Sequence, residues 1–238
     1  MLEAHELTCR LGASTVVEGV ELVVAPTEVL GLIGPNGGGK STVLLMLAGL
    51  IRPTQGTATY NSRPTHELAL SAAGTIGLIT AEPGLYPALT IRENLHWFAG
   101  LYGHSAGSVD AALPALLEGL DLQPHLDRRA GLLSSGQRQK ASLVRALLLG
   151  PAVLLFDEPT ANLDPLSARA IHLAIRARAD AGTAIVLCTH DLYAAEHICD
   201  RVAVLDRTLI RTEEFSGPRR VPEPSLLHGR LAEAMQQR

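Results

Sequence analysis

Gly34-Pro35-Asn36-Gly37-Gly38-Gly39-Lys40-Ser41 follows the apolar run Val29 to Ile33 and opens a stretch with helical spacing, Ser41 to Leu50. A glycine-rich turn between a strand and a helix lets the backbone wrap close around an anion, with amide N–H groups and the helix N-terminus facing its charge. The string fits G-x-x-x-x-G-K-[ST], and the strand before and helix after distinguish it from an ordinary Gly-rich turn. On this reading Gly34, Pro35, Asn36, Gly37, Gly38, Gly39, Lys40, Ser41 and Thr42 cradle nucleotide phosphates. Lys40 reaches the β- and γ-phosphates and Ser41 ligates Mg²⁺.

Outward from this loop, further strand-like runs stand at Val20 to Val24, Ile76 to Ile79, Val153 to Phe156, Ala184 to Cys188 and Val202 to Leu205. Several are continuous rather than alternating, as in strands covered on both faces. The first residues, Met1 to Arg10, also read as a strand, and they lack the charged and apolar regions of a secretory signal. Between the runs lie helical patterns. Ser41 to Leu50 is expected to stop at Arg52-Pro53, and Gln137 to Leu149 before Gly150. A third helix is capped by Asp164, with Pro165 in its first position, and runs to about Gly182. Strands alternating with helices imply an α/β fold with a parallel sheet. The region from about Pro83 to Leu133 differs: it is rich in Leu and Ala, with helical spacing at Ile91, Leu95, Phe98 and Leu101, and reads as a helical insertion.

Composition narrows the function. The 238 residues are 47% hydrophobic and 18% charged with few aromatics, so the core must be Leu, Val, Ile and Ala. A net charge of -4 offers no basic surplus for a phosphate backbone, and nucleic acid is not an expected partner. Cys9, Cys188 and Cys199 form no metal-ligand or disulfide spacing and read as buried free thiols of a reducing compartment. No run reaches the ~18 to 20 apolar residues of a membrane span, so a membrane link is expected only through a partner.

Three later segments carry chemistry. Val153 to Phe156 ends in Asp157-Glu158: a carboxylate at a strand end beside the phosphate loop is placed to hold Mg²⁺ (Asp157), and the next projects toward an attacking water (Glu158). Leu133-Ser134-Ser135-Gly136-Gln137-Arg138-Gln139-Lys140 sets hydroxyls and an N–H at a helix start. Alone it would read as a Ser/Gly helix cap. Its place between the phosphate loop and Asp157-Glu158 gives it a different weight. Thr189-His190-Asp191 follows the run Ala184 to Cys188.

In this order the segments resemble the motifs of ABC ATPases, over about residues 1–215. Leu133 to Gln137 resembles the LSGGQ signature, with Ser135 in place of the usual first Gly. Ala161-Asn162-Leu163-Asp164 resembles the D-loop, and His190 the switch histidine. The resemblance implies a P-loop, RecA-like core with an antiparallel β subdomain and the helical insertion, about 83–149. A linker and a short helix would follow over 216–238. It implies catalytic roles for Lys40, Glu158 and His190, with Ser134, Ser135, Gly136 and Gln137 gripping the ATP of a second chain in a head-to-tail dimer with itself or a related subunit. Further expectations are ATP hydrolysis, a membrane-spanning permease as partner and a location at the cytoplasmic face of the cell membrane. Glu82 to Gly103 is similar to drug, polysaccharide and lipid exporter motors, and the opening resembles haem-exporter ATPases. The rival is a soluble ABC ATPase without transport, usually built of tandem units or a long coiled-coil insertion. Two positions depart from the family: Leu11 stands at the adenine-stacking aromatic, and Ala81 at the Q-loop glutamine.

Overall fold

The computed structural model describes residues 1–214. The linker and helix expected over 216–238 lie outside them. β1 (Leu2–Leu11) and β2 (Ser14–Val24) form an antiparallel hairpin. β2 buries Val17, Val20, Leu22 and Val24 while Glu21 and Val23 face out, the period of two of a half-covered strand. β3 (Val29–Ile33) leads through the phosphate loop to α1 (Lys40–Leu47), β4 (Gln55–Tyr60), β5 (Arg63–Pro64), α2 (Thr65–Ser71) and β6 (Ile76–Thr80). The helical insertion follows as α3 (Ile91–Leu101), α4 (Ala106–Leu117) and α5 (Ser135–Leu147), with 3₁₀ turns at Gln123–His125 and Ala130–Leu132. β7 (Val153–Asp157), α6 (Pro165–Asp180), β8 (Ala184–Cys188), α7 (Leu192–Ile198), β9 (Arg201–Asp206) and β10 (Thr208–Glu214) complete it.

Two sheets result. One is antiparallel, in the order β2-β1-β4-β5; the other runs β10-β9-β3-β8-β7-β6, with all pairs parallel except β10 on β9. The six-stranded sheet is covered on both faces. Leu154, Phe156, Ile185 and Leu187 pack toward the helical insertion and α6. Their neighbours Val153, Leu155, Val186 and Cys188 pack toward α1 and the β1-β2 hairpin. This double burial is why these strands read as unbroken apolar runs.

Local differences from the sequence reading have physical causes. α1 ends at Leu47, not Leu50: Gly49 turns the chain at φ 74° and donates to Met46 O at 3.0 Å, ahead of Arg52-Pro53. α5 spans Ser135–Leu147 rather than Gln137 to Leu149, because Ser134 caps it two residues earlier. In α3 the buried stripe is Ile91, Leu95 and Ala99, and Leu101 is exposed. Asn94 sits within that stripe, accepting from Tyr86 N and donating to the carbonyls of Tyr86, Leu89 and Thr90. α4, β4, β5, α2, α7 and β10 were not expected individually; β5 has only two residues and α2 and α7 seven each, too short for periodicity to show.

One polar staple ties the start of β3 to the start of β9 and to α6. Asp200 Oδ2 accepts from Val29 N (2.8 Å) and from Arg176 Nη1 (2.8 Å), while Arg176 also donates to Thr27 O and Asp180. Asp200→Ala would leave the Val29 amide and the Arg176 guanidinium without this acceptor. Depriving a buried donor such as the Val29 amide of its acceptor costs about 1 to 3 kcal/mol. The substitution is expected to lower the urea midpoint correspondingly, with secondary structure unchanged by circular dichroism.

Candidate nucleotide-binding site

In a parallel sheet all C-terminal strand ends lie along one edge, where open α/β sheets bind ligands. Here β3 ends in the glycine-rich loop, β7 in Asp157 and β8 just before Thr189-His190, while Thr80, ending β6, pairs with Asp157. Val16, Asn36, Gly37, Gly39, Lys40, Ser41, Thr42, Asp157 and Glu158 line one cleft of about 220 Å³.

The loop is held tightly from behind. A Cβ on Gly34 would stand 1.9 Å from Leu205 O, so only glycine fits where the chain leaves β3. Arg207 N donates to Gly38 O at 2.9 Å and locks the loop to the end of β9. The buried Lys40 donates from Nζ to Gly34 O (2.9 Å) and Pro35 O (3.0 Å). Gly39, the N-cap of α1, offers no side-chain oxygen, so the first-turn N–H groups of α1 are left for an outside acceptor. Ser41 and Asp157 supply a hydroxyl and a carboxylate to the same cleft. Such hard oxygens, few in number, suit Mg²⁺ completed by phosphate oxygens and water.

Glu158 leaves β7 in a left-handed conformation, φ 50°, unusual for a residue with a side chain. Its amide is held by Cys188 O at 3.0 Å, and its Oε2 lies 2.9 Å from His190 Nδ1. The Glu158 side chain, which lines the cleft, is 22% exposed; His190, 66% exposed, does not line it and reaches it only through Glu158. Beneath it, burial raises the Cys188 thiol well above its ordinary range, and the Asp157 charge adds to the shift. All three cysteines are free and buried.

Ser134, Ser135, Gly136 and Gln137 are gathered at the start of α5, but none of them lines the cleft. Ser134 Oγ accepts from Gln137 N, and Gln137 Oε1 accepts from Ser134 N, a reciprocal capping box. Gly136 packs on the start of α6, where Asp164 accepts from Ser167 N. Hydrogen bonds from the Ser167 side chain, then its backbone, hold the Asp164 carboxyl below the usual carboxylate range.

Leu11 is 63% exposed and, like Ala81 and Glu82, does not line the cleft. Ala81 follows Thr80, whose carbonyl accepts from the buried Gln139 of α5 at 2.8 Å. The sequence reading missed Val16, an aliphatic residue in an alternating strand that becomes part of the cleft only when β2 packs beside the loop.

Fold and cleft define a P-loop nucleotide-binding protein of α/β architecture. A model of the ABC transporter family matches residues 17–161. A Nod factor export ATP-binding protein I from Bradyrhizobium diazoefficiens is 40% identical over 195 residues, 82% of this chain but only 64% of that protein's length. The ATP-binding subunit of an ABC transporter superposes with a TM-score of 0.82 at 32% identity, over 90% of each chain. A dimeric bacterial ABC transporter cassette does so with a TM-score of 0.79 at 25% identity, over 92% of this chain and 100% of that one. The chain belongs to the ABC transporter family and has its ABC ATPase fold.

A Cβ on Gly136 would lie 2.3 Å from Ser167 Oγ and 2.8 Å from Ser167 Cβ. Gly136→Ala is therefore expected to push α5 from α6 and destabilise the fold by about 1 to 3 kcal/mol, the usual cost of overpacking. Urea denaturation reads the loss, and Gly136→Ala should cost clearly less when introduced into a Ser167→Gly background than into the wild type.

Proposed function

We propose that the chain is the ATP-hydrolysing motor subunit of an exporter-type ABC transporter. It would act as a dimer at the cytoplasmic face of the membrane, beneath a separate membrane-spanning permease. One observation carries the reading: a single cleft joins the phosphate loop to Asp157 and Glu158, and Glu158 is met from outside that lining by His190.

In that cleft the α1 N-terminus and Lys40 would bind the phosphates, Lys40 exchanging its contacts with the loop carbonyls for phosphate oxygens. Mg²⁺, held by Ser41 and Asp157, would supply charge neutralisation at the phosphates. Glu158 would accept a proton from the attacking water at its carboxylate, and His190 would fix the orientation of that carboxylate through Nδ1. Ser134, Ser135 and Gly136 sit outside this cleft, which supports completion of the site by the α5 start of a second chain. That a solved cassette of the same fold is dimeric supports a dimer here.

The export relative supports the exporter assignment. Among the described residues no helix is long and apolar enough to cross a membrane. Tyr86, shortly after the Ala81 segment, and Trp97 of α3 are 46% and 44% exposed; Tyr86 stacks on Phe98 and Trp97 meets both rings edge-on, an apolar patch suited to a membrane partner.

Glu158→Gln should keep ATP binding but lower turnover about 10²- to 10⁴-fold, the usual worth of a general base. The variant should elute as a dimer with Mg-ATP, and wild-type turnover would exclude Glu158 as the base. Leu11→Tyr should tighten ATP binding several-fold, since base–aromatic stacking contributes about 1 to 3 kcal/mol. Equilibrium titration of wild type and variant reads that difference.

A further inference from the structure

His125 lies far from the cleft-lining residues in sequence, in the 3₁₀ turn Gln123–His125 between α4 and α5. That turn is firmly built. His125 N donates to Leu122 O at 2.9 Å, its carbonyl accepts from Arg128 N at 3.0 Å, and Leu122 and Leu126 on either side are buried. The ring Nε2 stands 2.9 Å from Nε2 of Gln137.

The orientation of this contact follows from the capping box. Ser134 N donates to Gln137 Oε1 at 3.0 Å, so the amide oxygen must point at Ser134 and the NH₂ group at His125. An amide NH₂ can only donate. Nε2 of His125 is therefore the acceptor, and the ring proton sits on Nδ1. Nδ1 is buried and has no partner, a cost that an ordinary surface turn would not need to retain.

We infer that His125 is a positioning residue for the start of α5: by accepting from Gln137 it holds the capping box closed and so fixes where Ser134, Ser135 and Gly136 present their donors. Both hydrogen-bonding ends of the Gln137 side chain are thereby used inside the chain. Without the acceptor on His125, the Gln137 amide can rotate, Ser134 N loses its partner and the turn opens. The inference rests on the proposed role of this turn in gripping the ATP of a second chain.

The test compares His125→Phe, which keeps a ring without an acceptor, and His125→Gln, which restores an amide oxygen, each in the Glu158→Gln background. His125→Leu replaces the Phe variant if thermal melting shows that it does not fold. ATP-driven dimerisation by size exclusion should weaken about tenfold in His125→Phe, as expected for one lost hydrogen bond, and return to within about twofold in His125→Gln. ADP affinity, which reports the phosphate loop of one chain alone, should be the same in all three proteins. Amide hydrogen exchange over residues 134–138 should be faster only in His125→Phe. Equal dimerisation and exchange in His125→Phe and its parent would overturn the inference, and so would equal impairment of His125→Phe and His125→Gln. If the Glu158→Gln parent itself forms no dimer with ATP, the proposed function fails instead. Exchange then decides alone: acceleration in His125→Phe that His125→Gln reverses upholds the positioning role, and any other pattern overturns it.

Discussion

Burial of the parallel strands on both faces is the constraint on which the rest of this molecule depends. With α1 and the β1-β2 hairpin on one side and the helical insertion and α6 on the other, the strands can expose polar chemistry only at their ends. Because β3, β8, β7 and β6 are parallel, those ends share one edge. The phosphate loop, Asp157, His190 and the Ala81 segment are neighbours for that reason, although 156 positions separate Gly34 from His190.

The same constraint explains where strain and close approach are tolerated. Glu158 takes a left-handed backbone, a conformation costing on the order of 1 kcal/mol or more, where the last residue of a rigid strand must turn its successor into the cleft. Gly34 lies against the Leu205 carbonyl because the loop must pass directly over the end of β9. Both are supported by backbone hydrogen bonds, from Glu158 N to Cys188 O and from Arg207 N to Gly38 O, which allow a departure from relaxed geometry to persist.

The helical insertion answers to a different requirement. The Ser134–Gln137 turn is closed by its own capping box, seated on Ser167 of α6 and in contact with His125, so its shape is defined within the chain. Gln139 of the same helix donates to Thr80 O, beside Asp157, and so links α5 directly to the strand end that enters the Ala81 segment.

By itself the sequence determined what is local or periodic. The glycine-rich loop between β3 and α1, the unbroken apolar runs of β7 and β8, and the Asp164-Pro165 start of α6 are legible because a few adjacent residues dictate their conformation. Asp157 and Glu158 were legible as candidates because a strand must end where its apolar run ends. Only the tertiary structure decided which distant groups meet: Glu158 with His190, Gly136 with Ser167, His125 with Gln137, and Val16 with the phosphate loop. It also decided that Leu101 faces water and that Gly49 ends α1. Such contacts depend on how layers pack and strands order themselves, and no pattern within a short window of residues encodes that.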